Sequence, residues 1–182
     1  MDLAPGLLLV AEPAMLDPNF KRAVVLLCDH GEEGSVGLII NKPTELYLPE
    51  VLLEPTGLEN QVFLGGPVQP DTLHFIHDYP DAVPDAIGVA DTIAWGGGFD
   101  EVAEQIRLGA LDASRFRFFA GYAGWGADQL ADEVADDSWL LTRASRDLVL
   151  SHPPDTLWRT LIASFGGEVA LLVNYPDDPT MN

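Results

Sequence analysis

Two uninterrupted apolar runs of strand length, AVVLLC at residues 23–28 and VGLIIN at residues 36–41, are separated only by DHGEEGS. Gly31, Gly34 and Ser35 suit a tight turn, so the two runs predict a β-hairpin. Neither run alternates apolar with polar residues, which predicts burial on both faces and therefore a sheet covered on both sides. Further strands are predicted at 6–11, 62–64, 74–76, 87–95, 116–122, 147–150 and 169–174. Helices are expected later. Phe99, Val102, Ala103 and Ile106 recur at helical spacing ahead of Gly109, and Ala127, Leu130, Ala131 and Val134 form a second stripe over 127–136. A third helix follows Pro153 and Pro154, capped by Asp155 or Thr156, with Leu157, Leu161, Ile162 and Phe165 leading into Gly166 and Gly167. Strands and helices do not alternate regularly, so the fold class is α+β rather than a doubly wound sheet.

At 182 residues, 47% of them apolar, the chain has the size of one domain spanning 1–182. Cys28 is the only cysteine, which excludes an intramolecular disulfide and a cysteine-rich zinc site and fits a reducing cytoplasm. The opening MDLAPGLLLVAEPAM is too short in its apolar run and wrongly flanked for a signal peptide, and no run approaches the ~20 apolar residues of a membrane span. A cytoplasmic protein without membrane attachment is expected. The net charge of −20 opposes polyanions, so direct binding to nucleic acid is disfavoured and solubility is the simplest role for the charge.

Three glycine clusters, FLGGPV at 63–68, AWGGGF at 94–99 and GYAGWG at 121–126, raise the possibility of phosphate loops. None is followed by the Lys and Ser or Thr of a P-loop, and no G-x-G-x-x-G occurs. Positive φ and close backbone approach explain them better. EGSVG at 33–37 has Glu33 where a nucleophile elbow needs glycine and sits in a turn. His74 and His77 lie on opposite faces of a strand, and no metal-ligand spacing is present, so neither a metal nor a cofactor is expected. The absence of any complete catalytic set points away from an enzyme. Cys28 and His30, two apart on one strand face, are the exception and form the candidate redox or nucleophilic pair.

The polar residues of greatest interest flank the hairpin. Arg22 precedes its first strand and Asn41-Lys42 leaves its second, so pairing places Asn41 and Lys42 near Lys21 and Arg22. Such a positive spot suits a small anion or an acidic segment of a partner, unless Asp17, Glu45 or other carboxylates neutralise it. The proposed ligand or partner pocket comprises Asp17, Arg22, His30, Asn41, Lys42, Gly65, Gly66, Pro67 and Trp125.

These same segments, in this order, resemble the YqgE/AlgH family of bacterial proteins of unknown biochemical function. The family pattern P-x-M-x-D-P-x-F-x-x-x-V falls on Pro13, Met15, Asp17, Pro18, Phe20 and Val24. C-x-H falls on Cys28 and His30, N-K-P on Asn41 to Pro43, L-G-G-P on Leu64 to Pro67, and G-Y-x-x-W-x-x-x-Q-L on Gly121, Tyr122, Trp125, Gln129 and Leu130. Ala131 and Asp137 depart from the Glu and Asn common in the family, which argues against catalytic roles there. The resemblance implies an α+β fold with a bent, partly barrel-like mixed sheet flanked by helices. It also implies a link to transcriptional regulation of alginate production, without catalytic residues. With no basic recognition helix in the chain, any such regulation is expected to be indirect, through a small ligand or protein partner.

Overall fold

The computed structural model describes residues 1–174. Its strands are β1 (Leu7–Ala11), β2 (Val24–Gly31), β3 (Gly34–Ile39), β4 (Pro43–Tyr47), β5 (Gln61–Leu64), β6 (Val68–His77), β7 (Ile87–Ala90), β8 (Ile93–Trp95), β9 (Phe116–Gly126) and β10 (Trp139–Arg143). Helices are α1 (Leu48–Val51), α2 (Phe99–Arg107), α3 (Gln129–Ala135), α4 (Pro154–Phe165) and α5 (Gly167–Leu171). All strands join one curled sheet in the order β10-β1-β2-β3-β9-β6-β8-β7, with β5 pairing β9 and β4 pairing β5. Among the described residues only the β5–β9 pairing is parallel, so the sheet is mixed and the fold is α+β, a half-barrel flanked by helices.

The predicted hairpin is the centre of this sheet. Along β2, Val24, Leu26 and Cys28 enter one core with Leu8, Leu38, Phe119, Leu157 and Trp158, whereas Val25 and Leu27 enter another with Leu9, Ile39, Trp125 and Trp139. Side chains that alternate between two cores explain why the run carries no polar alternation. Helix α4 covers the first core and α3 the second, while α2 closes a third around Phe75, Phe116 and Phe118. At ~25 cal/mol per Å² of apolar surface, each fully buried leucine in these layers contributes roughly 2 kcal/mol.

Four expectations change. Residues 147–150 form a π-helical turn (Asp147–Ser151) instead of a strand, because Arg117 draws the carbonyls of Val149 and Leu150 inward. Residues 169–174 are helical, in α5 and a 3₁₀ turn, rather than extended, with Val169 and Val173 packed on the first core. Helix α4 begins at Pro154 with Pro153 as its cap, so Asp155 lies inside the first turn. The predicted 87–95 strand is a hairpin of β7 and β8, with Asp91 at φ 47° in the turn.

Glycine placement follows from packing. A Cβ on Gly66 would lie 2.1 Å from the Tyr122 backbone, and one on Gly121, at φ 70°, would meet the Gly66 carbonyl at 2.6 Å. The Gly65-Gly66 segment thus crosses β9 at a distance that only glycine permits.

Candidate functional site

The end of the hairpin where β2 begins and β3 stops is held by one side chain. Asn41 Oδ1 accepts the Val24 N–H at 2.8 Å, and its Nδ2 donates to the Arg22 carbonyl at 2.9 Å. This clamp fixes Arg22 at φ 54°, a left-handed conformation that costs an L-residue about 1–2 kcal/mol. The turn before it is set by Asp17, whose Oδ1 accepts the Asn19 N–H and whose carbonyl accepts from Lys21. So constrained, Arg22 places its guanidinium 5.0 Å from the centre of the Trp158 ring, and Trp158 Nε1 donates to the Ala11 carbonyl.

A cavity of about 210 Å³ opens here, lined by Lys21, Arg22, Asn41 and Lys42 from the hairpin and by Pro154, Asp155, Trp158 and Arg159 from α4. Four of the chain's nine Lys and Arg residues meet at this one cavity, and among the described residues that line it Asp155 is the one carboxylate. Lys42 donates to the Asn19 carbonyl at 2.8 Å; burial lowers its pKa and the charge of Asp17 opposes that in part. The cavity also faces the first turn of α4, where backbone N–H groups lack helical partners and the dipole favours negative charge.

The other predicted residues lie elsewhere. His30 is at the opposite end of β2, about 25 Å away at ~3.3 Å per residue. There its Nδ1 lies 2.7 Å from Ser35 Oγ, and both line a 350 Å³ cavity beside Asp128. A bulge at Cys28 interrupts the register between Leu27 and Asp29, and Cys28 points into the first core, its thiol donating to the Leu26 carbonyl. Burial, then the charge of Asp29, raises its pKa, the reverse of what a thiolate nucleophile requires. Trp125 is buried against Phe20. Its Nε1 and that of Trp139 both donate to Glu133 Oε2, at 2.9 and 2.8 Å. Gly65 spends its N–H on the Ala120 carbonyl, and Pro67 is exposed nearby. The structure therefore brings together Arg22, Asn41 and Lys42, with Asp17 adjoining, and separates them from His30, Trp125 and Cys28.

The α4 wall was not anticipated. Trp158 and Arg159 belong to an amphipathic helix more than 110 residues beyond Lys42, and no local spacing rule connects them to the hairpin.

Two other charged arrangements are structural. Asp78, its side chain 3% exposed, is bracketed by Arg115 and Arg146. Burial raises its pKa, but the hydrogen bonds and charges of the two arginines prevail, so the carboxyl stays below its usual value. Arg117 donates to the carbonyls of Val149, Leu150 and Ile40 and lies over Phe63; burial lowers its pKa to about 10, so it remains charged at neutral pH. Among the described residues no group of His, Cys, Asp and Glu is arranged to hold a metal ion, and no helix is long and apolar enough to cross a membrane.

Comparison with known proteins agrees with this architecture. A UPF0301 protein of Chlorobium limicola is 39% identical over 180 residues, covering 99% of this chain and 96% of the relative. A UPF0301 protein of Cytophaga hutchinsonii is 38% identical over 181 residues, covering 99% and 100%. The crystal structure of protein DIP2367 from Corynebacterium diphtheriae superposes with a TM-score of 0.78 at 22% identity, covering 96% of this chain and 94% of that one, a likeness of fold. The solution structure of the AlgH protein from Pseudomonas aeruginosa matches with a TM-score of 0.72 at 29% identity, covering 97% and 98%. The AlgH-like family profile matches residues 8–170, and the chain belongs to the AlgH-like family.

Proposed function

We propose that this protein is a cytoplasmic binding protein whose ligand is a small anion, taken at the hairpin-end cavity, with occupancy of that cavity serving a regulatory role. The observation that carries the reading is the meeting of four cationic side chains on one cavity of a chain with net charge −20. These four cations converge beside the N-terminus of α4, where the helix dipole also favours negative charge. The strained, clamped Arg22 supports the same reading, because left-handed non-glycine residues held by their surroundings cluster at ligand sites. At about 210 Å³ the cavity is smaller than the roughly 300–1,000 Å³ typical of drug-sized ligands, which favours a phosphate-sized anion or a short carboxylate. Direct binding to duplex DNA is not part of the proposal, since the net charge of −20 opposes a polyanion.

The test is a thermal-shift titration with phosphate, sulfate and small di- and tricarboxylates, repeated on a Lys21→Gln/Arg159→Gln variant. A ligand at about 100 times its Kd adds ~2.7 kcal/mol, several degrees for a domain of this size. A shift that the double variant abolishes supports the proposal. Equal shifts in both proteins, or none with any anion, would remove it.

A further inference from the structure

A second surface, independent of the anion cavity, has the composition of a docking site. Leu46, Tyr47, Val51 and Leu53 lie within eight positions and are 46%, 49%, 40% and 103% exposed. Leu46 and Tyr47 end β4, Val51 closes α1 and Leu53 follows it, so this β4–α1 ridge is one short stretch of chain with four large apolar residues open to solvent. The ridge is anchored: Leu48 is fully buried in the third core and its N–H donates to the Asn60 carbonyl. Tyr47 N–H is held by Glu50 Oε2 at 2.7 Å. Large apolar side chains are thus presented to water on a fixed scaffold, the arrangement expected of an interaction site and not of a core that failed to close.

The surrounding charge identifies the occupant. Exposed Glu45, Glu50, Glu54 and Glu59 flank the ridge, and from residue 43 to residue 106 the chain has twelve carboxylates and no Lys or Arg. An acidic rim around an apolar strip is complementary to an amphipathic segment with leucine-like residues on one face and Lys or Arg beside them. A second copy of this chain would bring the same glutamates face to face, which disfavours self-association. The occupant is engaged through side chains more than through the strand edge. Pro43 has no N–H, Leu46 N–H is taken by Thr44 Oγ1, and Tyr47 N–H by Glu50, so β4 offers few backbone donors for an added strand. We infer that the β4–α1 ridge docks a basic amphipathic helix of a partner protein.

The experiment titrates isotope-labelled protein, at physiological ionic strength, with a synthetic amphipathic peptide of about 14 residues carrying leucines at helical spacing and lysines elsewhere. A version with glutamate in place of lysine is the control. The expected result is amide shift changes concentrated at residues 45–54 and an affinity lowered ~10-fold by Leu46→Ser/Leu53→Ser. These side chains are exposed, so the melting temperature of that variant should stay unchanged. Asp132→Asn/Asp136→Asn, on α3 and at its C-cap, should leave affinity intact. Shift changes spread over the whole acidic surface, equal binding by the Leu46→Ser/Leu53→Ser protein, or equal binding of the glutamate peptide would each overturn the inference. So would a dimer that the Leu46→Ser/Leu53→Ser change dissociates, since the occupant would then be a second copy.

Discussion

Replacing Asn41 with alanine tests whether the clamp on Arg22 shapes the hairpin end. Asn41→Ala removes the acceptor for Val24 N–H, on a fully buried residue, and the donor to the Arg22 carbonyl. A hydrogen bond contributes about 1 kcal/mol net, and a group left unpaired in a buried setting costs about 1–3 kcal/mol. Two such losses give an expected destabilisation of roughly 2–4 kcal/mol, read as a lower urea midpoint at unchanged m. For a chain of this size, that is a melting point lower by roughly 5–15 °C. Arg22→Gly supplies the control. Glycine adopts φ near 54° without penalty, so relief of about 1 kcal/mol should offset part of what the Arg22 side chain contributes, its stacking on Trp158 included. Because glycine does not need the clamp to stay left-handed, Asn41→Ala should be milder by about 1 kcal/mol in the Arg22→Gly background. An Asn41→Ala effect below about 1 kcal/mol, or strict additivity with Arg22→Gly, would refute the reasoning.

His77 is fully buried, donating from Nε2 to the Gly96 carbonyl and accepting the Tyr79 N–H at Nδ1. Burial lowers its pKa, opposed in part by the bond to Gly96 and the charge of Asp78. With the folded value below the unfolded 6.5, the unfolded chain takes the proton first, so stability is full above that pH and declines below it. His77→Gln should flatten the urea midpoint between about pH 5 and 7, though His74, also lowered by burial, leaves some slope. Asp78 has the usual carboxylate sign: its depressed pKa stabilises the fold above about pH 4, and that share is lost as pH falls through the folded value. Asp78→Asn should destabilise by roughly 2–4 kcal/mol at neutral pH, below the largest buried-pair effects because both arginines remain about 40% exposed. It should also abolish that acid-side loss in chemical denaturation. Cys28 should stay inert to a thiol reagent in the folded protein and react only on unfolding; stoichiometric labelling without loss of structure would contradict its burial.

The sequence revealed the parts of the fold that depend on near neighbours. The central hairpin was legible because both of its runs are apolar on both faces, a pattern that a covered central strand requires. Helix α2 was legible because Val102 and Ala103 face the third core while Asp100 and Glu101 complement the helix N-terminus. What was lost depended on distant partners. Asp147-Leu148-Val149-Leu150 has a strand's composition, and it becomes a π-helical turn because Arg117 on β9 and Ser145 supply its hydrogen bonds. Val169–Asn174 is similarly rich in strand formers, yet the left-handed Gly166 and Gly167 (φ 69° and 59°) turn the chain back onto the first core as a helix.

The candidate site divides along the same line. Pairing of β2 with β3 is enough to bring Arg22 and Asn41 together, so the hairpin half of the cavity could be derived from two adjacent strands. The same geometry separates His30 from them: it leaves β2 at the turn, and a residue cannot share a cavity with the far end of its own strand. Trp158 and Arg159 arrive only because α4 covers the core beneath β1 and β2, a consequence of burying Leu157, Leu161 and Ile162. The α4 wall of the cavity is thus a by-product of core packing. A central hairpin buried on both faces has no room for charge along its length, so its polar residues are forced to its two ends. The covering helix decides which end gathers positive charge, as the proposed anion site requires: α4 brings its N-terminus and Arg159 to the Arg22 end, whereas the His30 end meets Asp128 at the start of α3.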